Sequence, residues 1–250
     1  MSEPADTSPA PPSWLGRLLG ALSERQFRRY TAGTLIWGTA YQLLTLAQGY
    51  TLYRLTDSTL YLAMQGAVTG APQVVMPVIG RFLNDRLPRK QLLMTGSLVM
   101  AVVTAAIATV YALGEIQPWH ILVAGAFQGA LLGLDWTTRQ AILPNVVSRE
   151  RLVGGVSMDL TTFNLARIVA PLAGGAVLAA WGGPAAYGII AGLLAANIML
   201  ALALRPAAGA PQHESGALLT DAKEVARLIG SDAVTLALLS VILALKLHHG

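Results

Sequence analysis

A short stretch between two apolar runs carries an unusual density of charge. It reads GRFLNDRLPRKQLL over residues 80–93. A carboxylate followed by a guanidinium can pair with charges at a neighbouring helix end, and Asp135 and Arg139 close a later apolar run. This arrangement predicts a charge cluster that locks two helix ends together, either as a switch between conformations or as a static clamp. Such partly buried pairs add little net stability, so a switch would act by favouring one conformation. The charged residues of the stretch are Arg81, Asp85, Arg86, Arg89 and Lys90.

Arg167 is a cation inside an otherwise apolar run. A cationic side chain at the centre of a bilayer costs ~2.5–3.5 kcal/mol on insertion scales, so it is expected to have a function or a partner. Arg167 either takes part in binding a substrate or in coupling to protons, or it only joins Asn164 or Asp159 to neighbouring helices. The sequence leaves both interpretations open.

A third set of candidates is a polar stripe at helical spacing in the first apolar run. Amides and hydroxyls on one face of a membrane helix need partners inside the bundle or in a hydrated cavity. Gln128, next to Gly129 on a later run, fits a second lining face. The alternative is hydrogen bonding between helices without any substrate contact. The candidate cavity residues are Tyr41, Gln42, Thr45, Gln48 and Gln128.

The elements that carry these residues are membrane helices. The 250 residues are 54% hydrophobic and 12% charged, whereas an average soluble domain carries about 25% charged residues. Each apolar run is close to the ~20 residues that cross a bilayer as a helix. The six predicted spans cover residues 31–53, 59–80, 91–113, 119–138, 156–181 and 184–204.

The remaining segments are polar or incomplete. The predicted organisation is a disordered tail over residues 1–13, an amphipathic cytoplasmic surface helix over 14–30, a six-helix transmembrane domain over 31–204, a cytoplasmic linker over 205–230 and the truncated start of a seventh transmembrane helix over 231–250. The fold class is therefore all-α and integral to a membrane.

Lys and Arg in the connections predict the orientation. Fourteen lie in the N-terminal segment and in the connections after the second, fourth and sixth spans, whereas Arg54 alone lies on the opposite side. The positive-inside rule then places the N-terminus in the cytoplasm of a multi-pass protein of the cell membrane. Because this rule explains the basic charge, a nucleic-acid partner has no support.

Enzymatic chemistry has no sequence signature here. There is no glycine-rich phosphate loop with its lysine, and the four histidines lack metal-ligand spacing. Cysteine is absent from the 250 residues. We therefore expect no enzymatic activity, no cofactor and no metal site.

The order of residues in the charged stretch resembles the loop signature of the major facilitator superfamily. In that signature a Gly at a helix end is followed by an Asp, an Arg and a basic pair. Here the Gly stands one residue further from the Asp than in the commonest form. The matching residues are Gly80, Asp85, Arg86, Arg89 and Lys90.

Two later stretches are similar to the multidrug and siderophore exporter branch of that superfamily, which includes the enterobactin exporters. Asp135, Arg139 and Gln140 match the end of its fourth helix. The fifth helix matches an antiporter signature, in which Ala170 replaces the first Gly. Ala166, Ala170 and Gly174 also form a small-residue face, which suits close helix packing. The matching fifth-helix residues are Asn164, Arg167, Ala170, Pro171, Gly174 and Gly175.

The resemblance implies the first half of a twelve-span transporter, with a C-terminal six-helix half as its missing partner. The expected function is proton-coupled efflux of small amphipathic molecules, with the charge cluster holding the cytoplasmic side closed. The branch often has an Arg where this chain has Gly125, so proton coupling would fall to Asp135 or Arg167. The alternatives are a non-transporting membrane scaffold or receptor, and an importer or lipid transporter of the same fold.

Overall fold

The computed structural model describes residues 20–204, and all the regular structure in that range is helical. The predicted tail, linker and seventh helix lie outside the described residues. Short 3-10 turns at Leu143–Asn145 and Arg149–Arg151 join the fourth and fifth helices. The helices are α1 (Arg25–Thr56), α2 (Thr59–Arg86), α3 (Arg89–Ala112), α4 (Pro118–Ile142) and α5 (Leu152–Ala203).

A break at Gly182 divides α5 into two parts. Gly182 has φ 75° and ψ −176°, a conformation essentially restricted to glycine, and Pro184 follows it closely. We call residues 152–181 α5a and residues 183–203 α5b. Their positions correspond to the predicted runs over 156–181 and 184–204.

Four helical segments of the described residues are long and apolar enough to cross a bilayer. They are Thr59–Arg86, Arg89–Ala112, Pro118–Asn145 and Arg149–Ala203. The last is 55 residues long and contains the break, whereas ~20 residues suffice for one crossing. α1 is not in this set, and the threonines and glutamines of its polar stripe lower its average hydropathy.

The charged stretch is mostly helix rather than loop, which corrects the sequence interpretation. α2 continues to Arg86, so Gly80, Asp85 and Arg86 lie on its last turns. Leu87 then adopts an extended conformation with ψ 148°, as expected of a residue before proline. The connection to α3 is therefore only Leu87 and Pro88.

The predicted boundary at residue 30 also falls inside a helix. α1 begins at Arg25 and continues without interruption to Thr56. Phe27 and Tyr30 are buried in an apolar cluster with Leu93, Ile142 and residues of the connection after α4. Residues 25–30 therefore belong to the bundle, because their aromatic side chains have a packed site there.

Two helix pairs dominate the packing. α1 lies mainly against α5, and α2 lies mainly against α4, while α3 contacts both α4 and α5. The larger apolar cluster lies between these helices and includes Trp37, Tyr41, Leu44, Met100 and Tyr187. α4 thus sits between α2 and the other helices and positions the polar residues described below.

A row of glycines allows α2 to approach α4 closely. Gly125, Gly129 and Gly133 recur every four residues on α4 and are all buried. A Cβ atom at Gly129 would lie 1.9 Å from the backbone carbonyl oxygen of Thr69 on α2. Because the obstacle is backbone, a side-chain rotation cannot relieve the clash.

We predict that Gly129→Ala separates α2 from α4 and lowers the free energy of unfolding by about 1–3 kcal/mol, the range for overpacked cores. The matched control is Gly66→Ala on α2, where an added Cβ meets no atom within 4 Å. The measurement is the thermal unfolding midpoint of the detergent-purified protein. Equal midpoints for the two variants would contradict the close contact.

Candidate functional site

Asp135 is a fully buried acid on the inner face of α4. Its side chain is 0% exposed, and its Oδ2 atom accepts a hydrogen bond of 2.6 Å from the indole Nε1 of Trp37 on α1. Gly96 on α3 makes room for the carboxylate, since a Cβ there would lie 2.7 Å from Oδ1. Asp135 thus lies where α1, α3 and α4 meet.

Arg139 lies one helical turn beyond Asp135 and is also buried, at 4% exposure. Its guanidinium lies 4.3 Å from the ring centre of Trp37, within cation–π range. Its Nη1 donates a hydrogen bond of 3.0 Å to the Thr34 hydroxyl oxygen. Trp37 therefore contacts the acid through its N–H and the arginine through its ring.

Thr34 connects this arginine to a second buried acid. Its hydroxyl donates to Oδ1 of Asp159 at 3.0 Å while it accepts from Arg139. Asp159 is 5% exposed and faces α1. We call Asp135, Arg139 and Asp159, with Thr34 and Trp37, the buried charged cluster.

The cluster is incompletely satisfied by the chain itself. Oδ1 of Asp135 and Nε of Arg139 are buried without a hydrogen-bond partner among residues 20–204. With both acids ionised the cluster carries two negative charges against one positive charge. Burial of uncompensated charge is costly, so uptake of one proton by either acid would make the cluster electrically neutral.

The basic pair of the charged stretch, Arg89 and Lys90, binds helix ends instead of joining this cluster. Arg89 donates from Nη1 to the Ala141 carbonyl at 2.6 Å, near the end of α4. Lys90 donates from Nζ to the carbonyls of Leu202 and Leu204 at 2.7 and 2.9 Å, at the end of α5. Cations at the carbonyl end of a helix satisfy free acceptors and complement the helix dipole.

Asp85 is exposed at the end of α2, and no ion pair joins it to another residue between positions 20 and 204. Arg86 stacks over the Phe82 ring at 3.7 Å. Because Asp135 and Arg139 point inward toward α1, the structure does not bring Asp85 and Arg139 together. The predicted lock is thus not formed within this bundle, and the switch role of the stretch stays a prediction.

Gly80 fulfils a packing role between α2 and α4. It is buried, and a Cβ at this position would lie 2.6 Å from the Thr137 hydroxyl oxygen. Asn84 donates from Nδ2 to the Gly80 carbonyl at 2.7 Å. Gln140, the third candidate at the end of α4, is exposed, unlike Asp135 and Arg139.

Arg167 and Asn164 lie together on the outer face of α5a. Both are exposed, and their apolar neighbours Ile168 and Leu172 are 67% and 74% exposed. The alternative in which Arg167 joins Asp159 to a neighbouring helix does not occur among residues 20–204, because Asp159 faces α1. Sequence periodicity placed Arg167 in an apolar helix but could not indicate which face the bundle covers.

The small-residue face of α5a packs against α1. Ala166 and Ala170 are each 1% exposed. A Cβ at Gly38 would lie 3.2 Å from Cβ of Ala166, and one at Gly174 would lie 2.5 Å from a methyl group of Leu43. The predicted packing face is thus present within the bundle, while Gly175 is exposed and Pro171 is half-buried.

The polar stripe of α1 is joined to α4 and α2 by side-chain hydrogen bonds. Nε2 of Gln128 donates to the Thr45 hydroxyl at 2.8 Å and to the Tyr41 carbonyl at 3.3 Å. Nε2 of Gln65 donates to Oε1 of Gln48 at 2.6 Å. These bonds match the alternative of interhelical contacts, whereas the cavity role stays a prediction. The stripe's other candidate, Gln42, is half-buried.

Sequence reasoning missed several residues of these networks. Gln65 stands in an apolar helix four residues before Thr69, a signal comparable to the stripe on α1. Thr34 and Trp37 gave no comparable signal, since threonine and tryptophan are common in membrane helices. Their roles depend on which helix lies opposite.

The sequence profile of the Major Facilitator Superfamily matches residues 30–247. The chain belongs to the major facilitator superfamily. This confirms the family predicted from the charged stretch and the fifth-helix motif.

Curated relatives of this superfamily member include proteins named enterobactin exporter EntS from several bacteria. The protein from Citrobacter koseri is 26% identical over 179 residues, that from Salmonella typhimurium is 25% identical, and that from Escherichia coli is 26% identical. In each case the match covers 72% of this chain and 43% of the relative. The chain thus spans less than half the length of these relatives.

We predict that Thr34→Val destabilises the transporter fold by about 1–3 kcal/mol, the cost of leaving buried polar groups unpaired. Valine keeps the β-branched shape but removes both hydrogen bonds of the hydroxyl. Thr34→Ser is the control, because it retains the hydroxyl, and its unfolding midpoint should stay near that of the unaltered protein. A midpoint for Thr34→Val equal to that of Thr34→Ser would mean that the bridge from Arg139 to Asp159 adds no stability.

Proposed function

We propose that this chain is the N-terminal six-helix half of a proton-coupled exporter of small amphipathic molecules. Family membership supports a membrane transporter rather than an enzyme, and the relatives named enterobactin exporters support efflux. The break at Gly182 supports a six-span count, with α5a and α5b as the fifth and sixth spans.

The observation that carries this proposal is the position of Arg167. It lies midway along α5a on a face that the described chain leaves exposed, beside Asn164. A cation facing lipid at this depth would cost ~2.5–3.5 kcal/mol. A hydrated route between two halves removes that cost, because water or a substrate then solvates the guanidinium. We therefore place the transport route along this face, opposite a C-terminal six-helix half.

The buried charged cluster is the proposed coupling site. Two acids and one guanidinium are buried there, linked through Thr34 and Trp37, so binding of one proton removes the excess negative charge. The cluster joins three helices: α1 supplies Thr34 and Trp37, α4 supplies the Asp135–Arg139 pair, and α5a supplies Asp159. Of these helices, α5a also carries Arg167 on the proposed route. Protonation would thus change the interactions that hold α1, α4 and α5a together, as alternating access requires.

The proposed location is the cell membrane, with the N-terminus in the cytoplasm. The six proposed spans have five connections within the described residues, and the basic residues concentrate on the side of the connections after α2 and α4. That asymmetry supports the orientation through the positive-inside rule. A small-molecule substrate, protons and the lipid bilayer are the proposed partners.

We predict that single cysteines at Thr59 and Glu115 react with a membrane-impermeant thiol reagent from outside intact cells, whereas cysteines at Gln91 and Glu150 do not. All four side chains are exposed, and the 250 residues contain no other cysteine. Gly183 is unsuitable for this test, because a Cβ there would lie 2.1 Å from the Tyr111 ring. The reversed labelling pattern would overturn the orientation.

We predict that Arg167→Gln lowers efflux by about tenfold or more, since a hydrogen bond to a charged group contributes about 1.5–3 kcal/mol. Arg167→Lys should lower it less, because charge is kept while the planar fork is lost. The measurement is efflux of enterobactin or an amphipathic dye from vesicles containing the full-length protein, driven by an imposed pH gradient and normalised to folded protein.

The control for this measurement is Arg149→Gln, which removes an exposed arginine away from the proposed route. It should transport normally. Normal efflux in Arg167→Gln would refute the placement of the route, and efflux that ignores the pH gradient would refute proton coupling. Net uptake would identify an importer, and absence of any transport by the unaltered protein would favour a scaffold.

A further inference from the structure

A cavity outside the proposed transport route lies between the beginning of α1 and the end of α5b. Its volume is ≈ 300 Å³, and its lining residues are Arg25, Gln26, Arg29, Leu202 and Ala203. Two arginines one helical turn apart therefore face two apolar residues of another helix. None of these residues belongs to the buried charged cluster or to the face that carries Arg167.

The cavity carries an excess of positive charge. Arg25 is exposed and has no ion-pair partner among residues 20–204. Arg29 donates one hydrogen bond of 2.8 Å from Nη1 to the Ala203 carbonyl, which leaves further N–H donors of its fork. Lys90 adds a third cation at the same end of α5 through its bonds to Leu202 and Leu204.

The nearest acid in the sequence is engaged elsewhere. The carboxylate of Glu24 accepts hydrogen bonds from the backbone N–H and hydroxyl of Ser148, at 3.2 and 2.8 Å. It also lies 3.7 Å from Nη1 of Arg151. Glu24 is thus turned toward the connection after α4 and does not neutralise Arg25 or Arg29 by a direct ion pair.

Apolar residues continue from the cavity along both helices. Ala32 and Ile36 follow Arg25 and Arg29 at seven-residue intervals on α1, so they lie on the same side of the helix. On α5b, Met199 precedes Leu202 by three residues, and the two are 67% and 49% exposed. A cationic cavity therefore opens onto an exposed apolar strip.

The predicted bounds of the first span place the cavity at the depth of the lipid head groups. Arg25 and Arg29 stand six and two residues before the predicted start of the first span at residue 31, which is about 9 and 3 Å along a helix, so the middle of the cavity lies about 6 Å from that start. The polar interface of a bilayer extends roughly 5–8 Å beyond each side of the hydrocarbon core. A phosphate at this level would meet the arginine forks while its acyl chains extended toward the apolar strip.

We propose that this cavity binds the head group of an anionic phospholipid such as phosphatidylglycerol. Arginine forks bind phosphate with two hydrogen bonds each, and Gln26 lies between the two arginines. The lipid lies against the start of α1 and the end of α5b, so it holds together the two ends of this half of the bundle. The apolar strip on α5b favours a lipid over free phosphate as the occupant.

The test is native mass spectrometry of the full-length protein, titrated with phosphatidylglycerol or phosphatidylcholine. Arg25→Gln should weaken phosphatidylglycerol binding about fivefold, the factor that about 1 kcal/mol per surface arginine gives. Arg25→Lys keeps the charge but loses the planar fork, so its affinity for phosphatidylglycerol should lie between those of Arg25→Gln and the unaltered protein. Arg81→Gln is the matched control, because it removes an exposed arginine of α2 at the same side of the bundle.

Selective loss in Arg25→Gln, with Arg81→Gln unchanged and no displacement by millimolar inorganic phosphate, would support the lipid site. Equal losses in the two variants would mean diffuse surface charge and overturn it. Equal binding of phosphatidylcholine would overturn the role of head-group charge. Displacement of the lipid by inorganic phosphate would identify a free-phosphate site instead. These outcomes do not depend on whether Arg167 serves transport.

Discussion

The guanidinium of Arg139 has to find its partners inside the bundle, and the arrangement of α1, α4 and α5a follows from that requirement. Thr34 accepts its hydrogen bond and Trp37 covers its face. Thr34 in turn binds Asp159, and Trp37 binds Asp135. Asp135, Arg139 and Asp159 are buried among the helices, so bulk water cannot substitute for these contacts. A shift of α1 relative to α4 or α5a therefore breaks hydrogen bonds to at least one buried charge.

Such short polar contacts require that the helices approach closely, and small residues allow this at two interfaces. Gly125, Gly129 and Gly133 bring α2 onto α4, while Ala166 and Ala170 bring α5a onto α1. Close approach and buried polarity thus support each other. Apolar packing alone gives little preference for one helix partner in lipid, since lipid tails are as apolar as leucine. The charges give the bundle its specificity, and the small residues make their distances attainable.

The sequence was sufficient to place the helices but not their faces. The apolar runs marked the positions of the helices to within a few residues, except at the beginning of α1 and the end of α2. Charged residues there continue the helices, because the helical backbone remains favourable after the apolar run ends. The sequence could not predict that the side chain of Asp159 faces the inside of the bundle and that of Arg167 faces outward. Helical periodicity gives relative angles within one helix, whereas the covered face depends on neighbours distant in the chain.

The charged stretch combines residues whose presence the bundle explains with one that it does not explain. Gly80 allows α4 to pack closely against α2. Arg89 and Lys90 bind helix ends, and Arg86 stacks on Phe82. The same arginines and lysine also set the positive-inside bias, so topology and local structure account for them together. Asp85 adds an acid to a side that this bias leaves basic, and it forms no ion pair between residues 20 and 204. A static clamp among residues 20–204 therefore does not account for Asp85, and the role of Asp85 in a conformational switch stays a prediction.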